Sequence, residues 1–125
     1  MAGRRVLIVD SHGNMTLALE LLFAQHGFET RVSRTGEEAL ATAEKERPDC
    51  VVLAAVLPLR RGFEICQMLR QRTASDRPKV IMIPSTGMAL EQVKAGSVGA
   101  DACLEWPIST AELVRTARTL LELPA

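Results

Sequence analysis

Short apolar runs alternate with helix-forming segments along most of this chain. Three of the runs, RVLIV at 5–9, CVVLA at 50–54 and KVIMI at 79–83, are almost wholly apolar and rich in β-branched residues. Runs of this kind are typical of strands that are buried on both faces, as in a parallel sheet. A fourth run, FETRVS at 28–33, alternates apolar and polar residues and predicts an edge strand. This alternation restricts the fold more than any other feature of the sequence.

The segments between the runs carry residues that start and stop helices. Thr35 precedes Glu38 by three positions and Ser109 precedes Glu112 by three, so each pair predicts a capping box. Gly27 is well suited to follow the last turn of the first helix. The helices are predicted at 14–27, 35–47, 62–72, 88–99 and 109–123, and a short fifth strand is predicted at 101–106.

Five strands alternating with five helices predict an α/β fold, (βα)5, in which helices cover both faces of a doubly wound parallel sheet. The polar edge strand, together with the rule that crossover connections between parallel strands are right-handed, favours the strand order 2-1-3-4-5. A length of 125 residues predicts a single domain over 1–125. Ligands of such sheets bind at the carboxyl ends of the central strands. Four segments are predicted to meet there: 9–13, 53–58, 83–87 and 104–107.

Composition argues against several classes of function. Fifteen basic and fifteen acidic residues cancel, so there is no electrostatic reason to expect nucleic acid or an anionic membrane as a partner. Cys50, Cys66 and Cys103 lack CxxC spacing and lie in apolar runs, which predicts buried free thiols in a reducing compartment. The four-residue apolar run before Asp10 is too short for a signal peptide or a membrane span. A cytoplasmic location is therefore expected.

The predicted ligand edge offers few groups for catalysis. Its acidic side chains are Asp10 and Glu105, and no cysteine lies at a strand tip. Asp10, Ser11 and His12 are neighbours in the chain, and neighbouring side chains diverge rather than converge as a hydrolase triad requires. Gly13 by itself does not predict a phosphate-binding loop.

The chain resembles the response-regulator receiver domain, the CheY-like fold, over essentially its whole length. The matching blocks are RVLIVD, HGFET, TGEEAL, RPDCVVLAAVLPLRRGFEICQMLR, KVIMIPS and GADACLEWPIS. The resemblance implies a flavodoxin-like fold and a role in two-component signalling. Receivers transfer a phosphoryl group from a histidine kinase to their own aspartate. For this they use an acidic pair after the first strand, an acceptor Asp ending the third, Ser or Thr ending the fourth and Lys ending the fifth.

The chain departs from that pattern at most of the matching positions. Of the acidic pair, only Asp10 is retained. The other matching positions hold Ser11 for the second acid, Ala54 for the acceptor, Pro84 for the hydroxyl, Trp106 for the lysine and Cys103 for the aromatic residue of the fifth strand.

Each departure removes a chemical capacity. Ala54 has no oxygen to accept a phosphoryl group, and Pro84 has neither a hydroxyl nor an N–H to hold one. Trp106 carries no charge to offset developing negative charge, and one carboxylate with one serine is a poor ligand set for Mg²⁺. Asp49 lies about 16 Å from Ala54, at roughly 3.3 Å per strand residue, and Glu105 points to the opposite face from Trp106. Neither carboxylate is expected to replace the acceptor.

These departures predict a degenerate pseudo-receiver with no enzymatic activity, no cofactor and no Mg²⁺. We expect it to act as a phosphorylation-independent protein-interaction module for an unidentified signalling partner. The stretches RPDCVVLA and GFEIC are similar to the degenerate receiver of FrzS-type motility proteins. By resemblance, the candidate interaction face is formed by the fourth helix, fifth strand and fifth helix. Its residues are Met88, Gln92, Glu105 and Ile108.

One alternative is a small-ligand receptor. Trp106 could stack on a ligand such as a cyclic dinucleotide, while Arg60 and Arg61 pair with its phosphates.

A second alternative is a cobalamin-binding domain, which can share this topology. Such domains carry a D-x-H-x-x-G motif after the first strand. Asp10 and His12 match it, but Met15 stands where the glycine belongs.

Trp106 directly precedes Pro107, and the resemblance implies a cis peptide bond between them. The cis form of an X–Pro bond costs only about 0.5–1 kcal/mol, so its surroundings can select it. We expect the indole to fold inward over Ala54 and Pro84, where it would fill the space of the missing acceptor and metal. The alternative is an outward position on the side of the fourth helix, as part of a partner site.

Overall fold

The computed structural model describes residues 3–72, 78–105 and 107–124. Within them, five parallel strands form one sheet in the order β2-β1-β3-β4-β5, which confirms the predicted order and the (βα)5 architecture. The strands are β1 (Arg5–Val9), β2 (Glu29–Ser33), β3 (Cys50–Ala54), β4 (Lys79–Ile83) and β5 (Ala102–Cys103). The helices are α1 (Gly13–Gln25), α2 (Gly36–Glu46), α3 (Gly62–Arg72), α4 (Ala89–Ser97) and α5 (Thr110–Leu120).

Alternate residues of the central strands face two separate apolar cores. Leu7 and Val9 of β1 pack against the core that α2, α3 and α4 cover, whereas Val6 and Ile8 pack against the core under α1 and α5. All four side chains are fully buried. Burial on both faces explains why β1, β3 and β4 have nearly continuous apolar sequences. The predicted edge strand, by contrast, is β2, whose Arg31 is exposed.

The helix ends follow the predicted local signals closely. The Thr35 hydroxyl accepts a hydrogen bond from the Glu38 backbone N–H at 3.2 Å, and the Ser109 hydroxyl accepts one from Glu112 N–H at 3.2 Å. Gly27 has a φ of +85°, as expected for the residue that ends α1. None of the described helices is both long enough and apolar enough to span a bilayer.

The fifth strand is shorter than the predicted span 101–106. Only Ala102 and Cys103 pair in the sheet. The Leu104 N–H still donates to the Met82 carbonyl of β4 at 3.1 Å. In a parallel ladder of this register the Leu104 carbonyl would accept the next hydrogen bond from position 84, but Pro84 has no N–H. The Leu104 carbonyl instead accepts a hydrogen bond from Nε2 of Gln92, on α4, at 2.7 Å.

The prediction of buried thiols holds for two of the three cysteines. Cys50 and Cys66 are buried free thiols, whereas Cys103 is only half-buried because it lies on the edge strand β5. Burial raises the pKa of the Cys50 thiol to about 12 and that of Cys66 to about 11. Both thiols are therefore poor nucleophiles at neutral pH.

Candidate functional site

The carboxyl ends of β1, β3 and β4 lie side by side at one edge of the sheet. Val9 is paired with Leu53, and Ala54 is paired with Ile83. The register therefore brings together the three predicted site residues that follow or end these strands. These residues are Asp10, Ala54 and Pro84, and all three are buried.

The Asp10 carboxylate is engaged within its own loop. Its Oδ1 accepts a hydrogen bond from the His12 backbone N–H at 2.9 Å and lies 2.9 Å from Nδ1 of the His12 ring. Ser11 lies between them and is half-buried. The sequence analysis did not predict this contact, although an Asp that binds the backbone two residues ahead is a common turn.

The residues at this edge do not fit the Mg²⁺ ion that receivers use. Mg²⁺ requires several hard oxygen ligands in octahedral geometry. Asp10 supplies one carboxylate, and one of its oxygens already contacts His12. Ala54 supplies only a methyl group at the position of the acceptor. Among residues 3–72, 78–105 and 107–124, no three His, Cys, Asp or Glu side chains converge to hold a metal.

The loop between β4 and α4 is closed by one carboxylate that the sequence analysis missed. Glu91 Oε2 accepts hydrogen bonds from Ser85 N–H at 3.0 Å and from the Ser85 hydroxyl at 2.8 Å. Glu91 Oε1 accepts one from Thr86 N–H and one from the Thr86 hydroxyl, both at 2.7 Å. Partial burial raises the pKa of Glu91, but these four hydrogen bonds outweigh burial and hold the pKa at about 2. The hydroxyls next to Pro84 are therefore committed to α4.

An open groove lies between the loop after β3 and the start of α4. Its volume is about 510 Å³, and we call it the α3–α4 groove. The Phe63 ring forms part of its wall, with Lys94 Nζ 4.9 Å from the ring centroid. The complete lining is Ala55, Val56, Leu57, Arg61, Phe63, Ser85, Thr86, Met88, Leu90, Glu91 and Lys94.

The two arginines considered for phosphate binding have different surroundings. Arg60 Nε donates to Glu37 Oε1 at 2.7 Å, and its guanidinium lies 3.9 Å from Glu64. Arg61 is exposed and lines the groove. Because Arg60 is held by carboxylates, the two arginines do not form the paired phosphate clamp that the ligand alternative requires.

The predicted interaction face is only partly a free surface. Met88 and Glu105 are exposed, as a partner site requires. Gln92 is half-buried and donates to the Leu104 carbonyl, and Ile108 packs against the core under α1 and α5. Gln92 and Ile108 therefore also make contacts within the fold, and their place on the interaction face remains a prediction.

Trp106 lies outside the described residues. The cis Trp106–Pro107 bond and the inward position of the indole therefore remain predictions. Pro107 itself is exposed. Cys103, at the end of β5, has a thiol pKa that is raised by partial burial and by the charge of Glu91.

Gly62 positions the first turn of α3 against the end of β3, and the sequence analysis overlooked it. A Cβ at this position would lie 2.0 Å from the Ala54 carbonyl oxygen and 2.9 Å from Ala55 Cα. The Gly62 N–H donates to the Ala55 carbonyl at 2.9 Å. The sequence signal was a glycine that opens a helix, where a backbone contact of this kind excludes any side chain.

Several known proteins are similar to this chain. The phosphate regulon transcriptional regulatory protein PhoB of Rhizobium meliloti is 30% identical over 117 residues, which is 94% of this chain and 52% of that protein. The probable transcriptional regulator ycf27 of Pyropia yezoensis is 33% identical over 117 residues, which is 94% of this chain and 47% of that protein. The chain thus spans about half the length of these curated relatives.

Solved structures agree with the fold. A Chloroflexus aurantiacus chain described as a response regulator superposes with a TM-score of 0.90 at 28% identity, covering 96% of this chain and 98% of that one. The chemotaxis response regulator CheY4 of Vibrio cholerae superposes with a TM-score of 0.86 at 24% identity, covering 94% and 98%. The latter likeness shows the fold alone.

The family model described as the response regulator receiver domain matches residues 6–118. Receiver domains are, in general, non-enzymatic signalling modules of two-component systems. With the match covering all five strands and reaching into the last helix, the chain belongs to the response regulator receiver domain family.

Proposed function

We propose that this chain is a pseudo-receiver that acts as a phosphorylation-independent protein-interaction module in signalling, without enzymatic activity of its own. The observation that carries the proposal is the buried methyl group of Ala54 at the carboxyl end of β3, where receivers place the acceptor aspartate. A degenerate receiver of this kind, as in FrzS-type proteins, would present a fixed surface to an as yet unidentified signalling protein.

The surroundings of Ala54 support the proposal. Asp10 contacts His12 and is poorly placed to bind a metal. Pro84 follows β4 where a hydroxyl is needed, and the next two hydroxyls, of Ser85 and Thr86, donate to Glu91. The acceptor, the metal site and the phosphoryl-oxygen donor are thus all replaced by groups with other roles.

Replacing the acceptor also has an energetic reason. A carboxylate at position 54 would lie at the same buried edge as Asp10, and two close carboxylates repel each other unless a cation offsets their charge. The methyl group of Ala54 avoids this repulsion. We therefore expect Ala54 to stabilise the fold in the absence of metal.

Incubation with acetyl phosphate and Mg²⁺, followed by intact-mass measurement of the folded protein, tests the proposal. No mass increase by one phosphoryl group is expected, whereas a conventional receiver treated in parallel should gain one. The Ala54→Asp variant should also stay unmodified, because Pro84 still leaves the phosphoryl oxygens unsupported, and each missing donor removes about 2–4 kcal/mol of transition-state stabilisation. A phosphoryl adduct on the wild-type chain would overturn the proposal.

The same variant tests the energetic reason. Without Mg²⁺, Ala54→Asp should lower the free energy of unfolding by about 1–3 kcal/mol, the cost of burying a poorly compensated polar group. Ala54→Asn is the matched control, because it has nearly the same size without the charge. An Ala54→Asp variant that melts above the wild type would contradict this explanation.

The interaction role is tested by affinity capture from the native cell with and without acetyl phosphate. The same partner should be captured under both conditions. A partner that binds only after acetyl phosphate treatment would show that the chain is a phosphorylation-dependent switch.

A further inference from the structure

We propose that the α3–α4 groove is a docking site for a partner segment that combines large apolar residues with acidic ones. The inference rests on the proposed function, because it assigns a surface and a partner chemistry to the interaction module. The groove is lined by Ala55, the residue after Ala54, and lies on the opposite side of α4 from Gln92, which binds the chain just after β5. It shares Met88 with the predicted face formed by α4, β5 and α5 but extends from there toward the loop after β3.

Exposed apolar side chains form much of the groove. Val56 is 59% exposed, Met88 64% and Leu90 67%. Val93, one turn after Leu90 on α4, is also exposed, at 68%, but does not line the groove. Apolar side chains that are exposed together, rather than scattered singly, are the kind of surface that marks a binding site.

The charged side chains at the groove indicate the sign of the charge that a partner segment should carry. Arg61 and Lys94 both line it, and neither forms an ion pair with a carboxylate in the described part of the chain. Glu91 also lines it and keeps its negative charge, but both of its oxygens accept hydrogen bonds from Ser85 and Thr86. Two cations and one carboxylate give the lining a net charge of +1, and the cations are the charged groups left to pair with carboxylates of a partner.

Leu59 adds an independent observation on the loop that forms one wall. Its backbone has a φ of +68°, a left-handed conformation that disfavours residues with a Cβ. Its side chain is 95% exposed, so no packing within the described chain compensates for that conformation. A glycine would serve the fold better, and strain retained in a loop is typical of a surface with a function.

The shape and charge together favour a peptide over other occupants. The groove is open and bounded by a loop and a helix, whereas small-molecule sites usually enclose most of their ligand. Two cations are too few for the phosphate contacts that hold nucleic acids. A segment with two or three large apolar residues and neighbouring Asp or Glu would cover Val56, Met88 and Leu90 while its carboxylates meet Arg61 and Lys94.

The test starts from a random peptide library displayed on phage and selected on the full chain. Enriched peptides should combine Leu, Ile or Phe with Asp or Glu. The most enriched peptide is then synthesised with a fluorescent label, and its affinity is measured by anisotropy. Backbone amide shifts in a ¹⁵N-labelled sample should change at Val56, Met88 and Leu90, and the affinity should fall as salt rises.

Charge reversal provides the matched comparison. The double variant Arg61→Glu and Lys94→Glu should weaken the selected peptide by at least about tenfold, in line with the loss of two charge pairs. Lys45→Glu, on the exposed side of α2, should bind it as the wild type does. Amide spectra of each variant establish that it is folded before affinities are compared.

Several outcomes would overturn the inference. These are enrichment of basic peptides or of none, amide shifts confined to α1 or α5, equal weakening by Lys45→Glu, and self-association through the groove that excludes peptide. None of them bears on phosphorylation, so the proposed function would stand. Conversely, a phosphoryl adduct in the mass measurement would remove the proposed function even if the peptide bound.

Discussion

At the amino-terminal end of the sheet, carboxylates bind strand backbone that is far away in sequence, whereas the carboxylates of Asp10 and Glu91 at the carboxyl end bind residues close to them in sequence. Arg5 N–H, at the start of β1, donates to Asp49 Oδ2 at 2.8 Å across 44 positions of sequence. Asp101 accepts the Val80 N–H at 2.7 Å and pairs with Arg70 of α3. These contacts tie the first residues of the strands to one another and to a helix.

At the carboxyl end, the two carboxylates bind residues that are close in sequence. Asp10 contacts a residue two positions ahead of it, and Glu91 contacts residues five and six positions before it. The exception is Arg60, in the loop after β3, whose Nε donates to Glu37 of α2 at 2.7 Å across 23 positions. That contact joins two solvent-accessible side chains and binds no strand backbone. Charge thus holds strand backbone in place where strands begin, whereas at the other end it shapes loops and joins the loop after β3 to α2.

The largest effect is expected at Gly62. It tests whether α3 and the end of β3 are packed as closely as the structure shows. Gly62→Ala should lower the free energy of unfolding by about 3 kcal/mol, because the new Cβ would overlap the backbone of β3. Gly96→Ala in α4 is the control, since a Cβ there meets nothing within 4 Å and should stabilise the helix by about 0.5–1 kcal/mol. Urea unfolding measures both, and equal effects would contradict the close approach.

The next effect compares one carboxylate from each end. Asp101→Ala should cost about 2 kcal/mol, because it leaves the Val80 N–H without its acceptor and removes the carboxylate that pairs with Arg70, which keeps its hydrogen bonds to the Gly99 and Pro78 carbonyls. Asp10→Ala should cost less than about 1 kcal/mol, because it removes only contacts to His12 in the same turn. Thermal and urea unfolding of the two variants measure the two losses of stability. A larger loss of stability for Asp10→Ala than for Asp101→Ala would contradict the difference between the two ends of the sheet.

A pH-dependent effect is expected at Glu91. Its pKa in the folded chain is about 2, below the ordinary value of 4.5, so its ionised form stabilises the fold above the ordinary value and ceases to do so as pH falls toward 2. Glu91→Gln should therefore cost about 1 kcal/mol at neutral pH, a modest value because the site is solvent-accessible. The gap between wild type and variant should close as the solution is acidified. A gap that is independent of pH would exclude the carboxylate as its cause.

The smallest effect is expected at Leu59. It tests whether the loop after β3 keeps a backbone conformation that lowers the stability of the fold. Leu59→Gly should raise the free energy of unfolding by about 0.5–1 kcal/mol, because relief of the left-handed backbone exceeds the entropy that glycine adds to the unfolded chain. Leu59→Ala retains a Cβ and should bring no such gain. If Leu59→Gly is destabilising, Leu59 makes a contact that outweighs its strain.

Local pattern determined most of the scaffold. The bounds of β1, β3, β4 and α3 follow directly from the sequence, because burial on both faces leaves a continuous apolar run and helix ends carry their own signals. The positions at which this chain departs from the receiver pattern, such as Ala54 and Pro84, could also be identified from the sequence. The resemblance to receivers identifies them, so no long-range contact is needed to find them.

Tertiary structure decided how the side chains are used. Gln92 was predicted to lie on the interaction face, and its contact with the Leu104 carbonyl just after β5 was not predicted. Glu91 was not singled out, yet it closes the loop after β4, and Arg60 pairs with Glu37 of another helix. Each of these roles depends on a partner that the sequence does not place, because which polar atoms come within hydrogen-bonding distance is set only when the helices pack against the sheet. The sequence by itself therefore determined which residues stand at the positions that receivers use for chemistry, whereas the packing of the helices against the sheet determined which polar groups pair and which side chains line the groove.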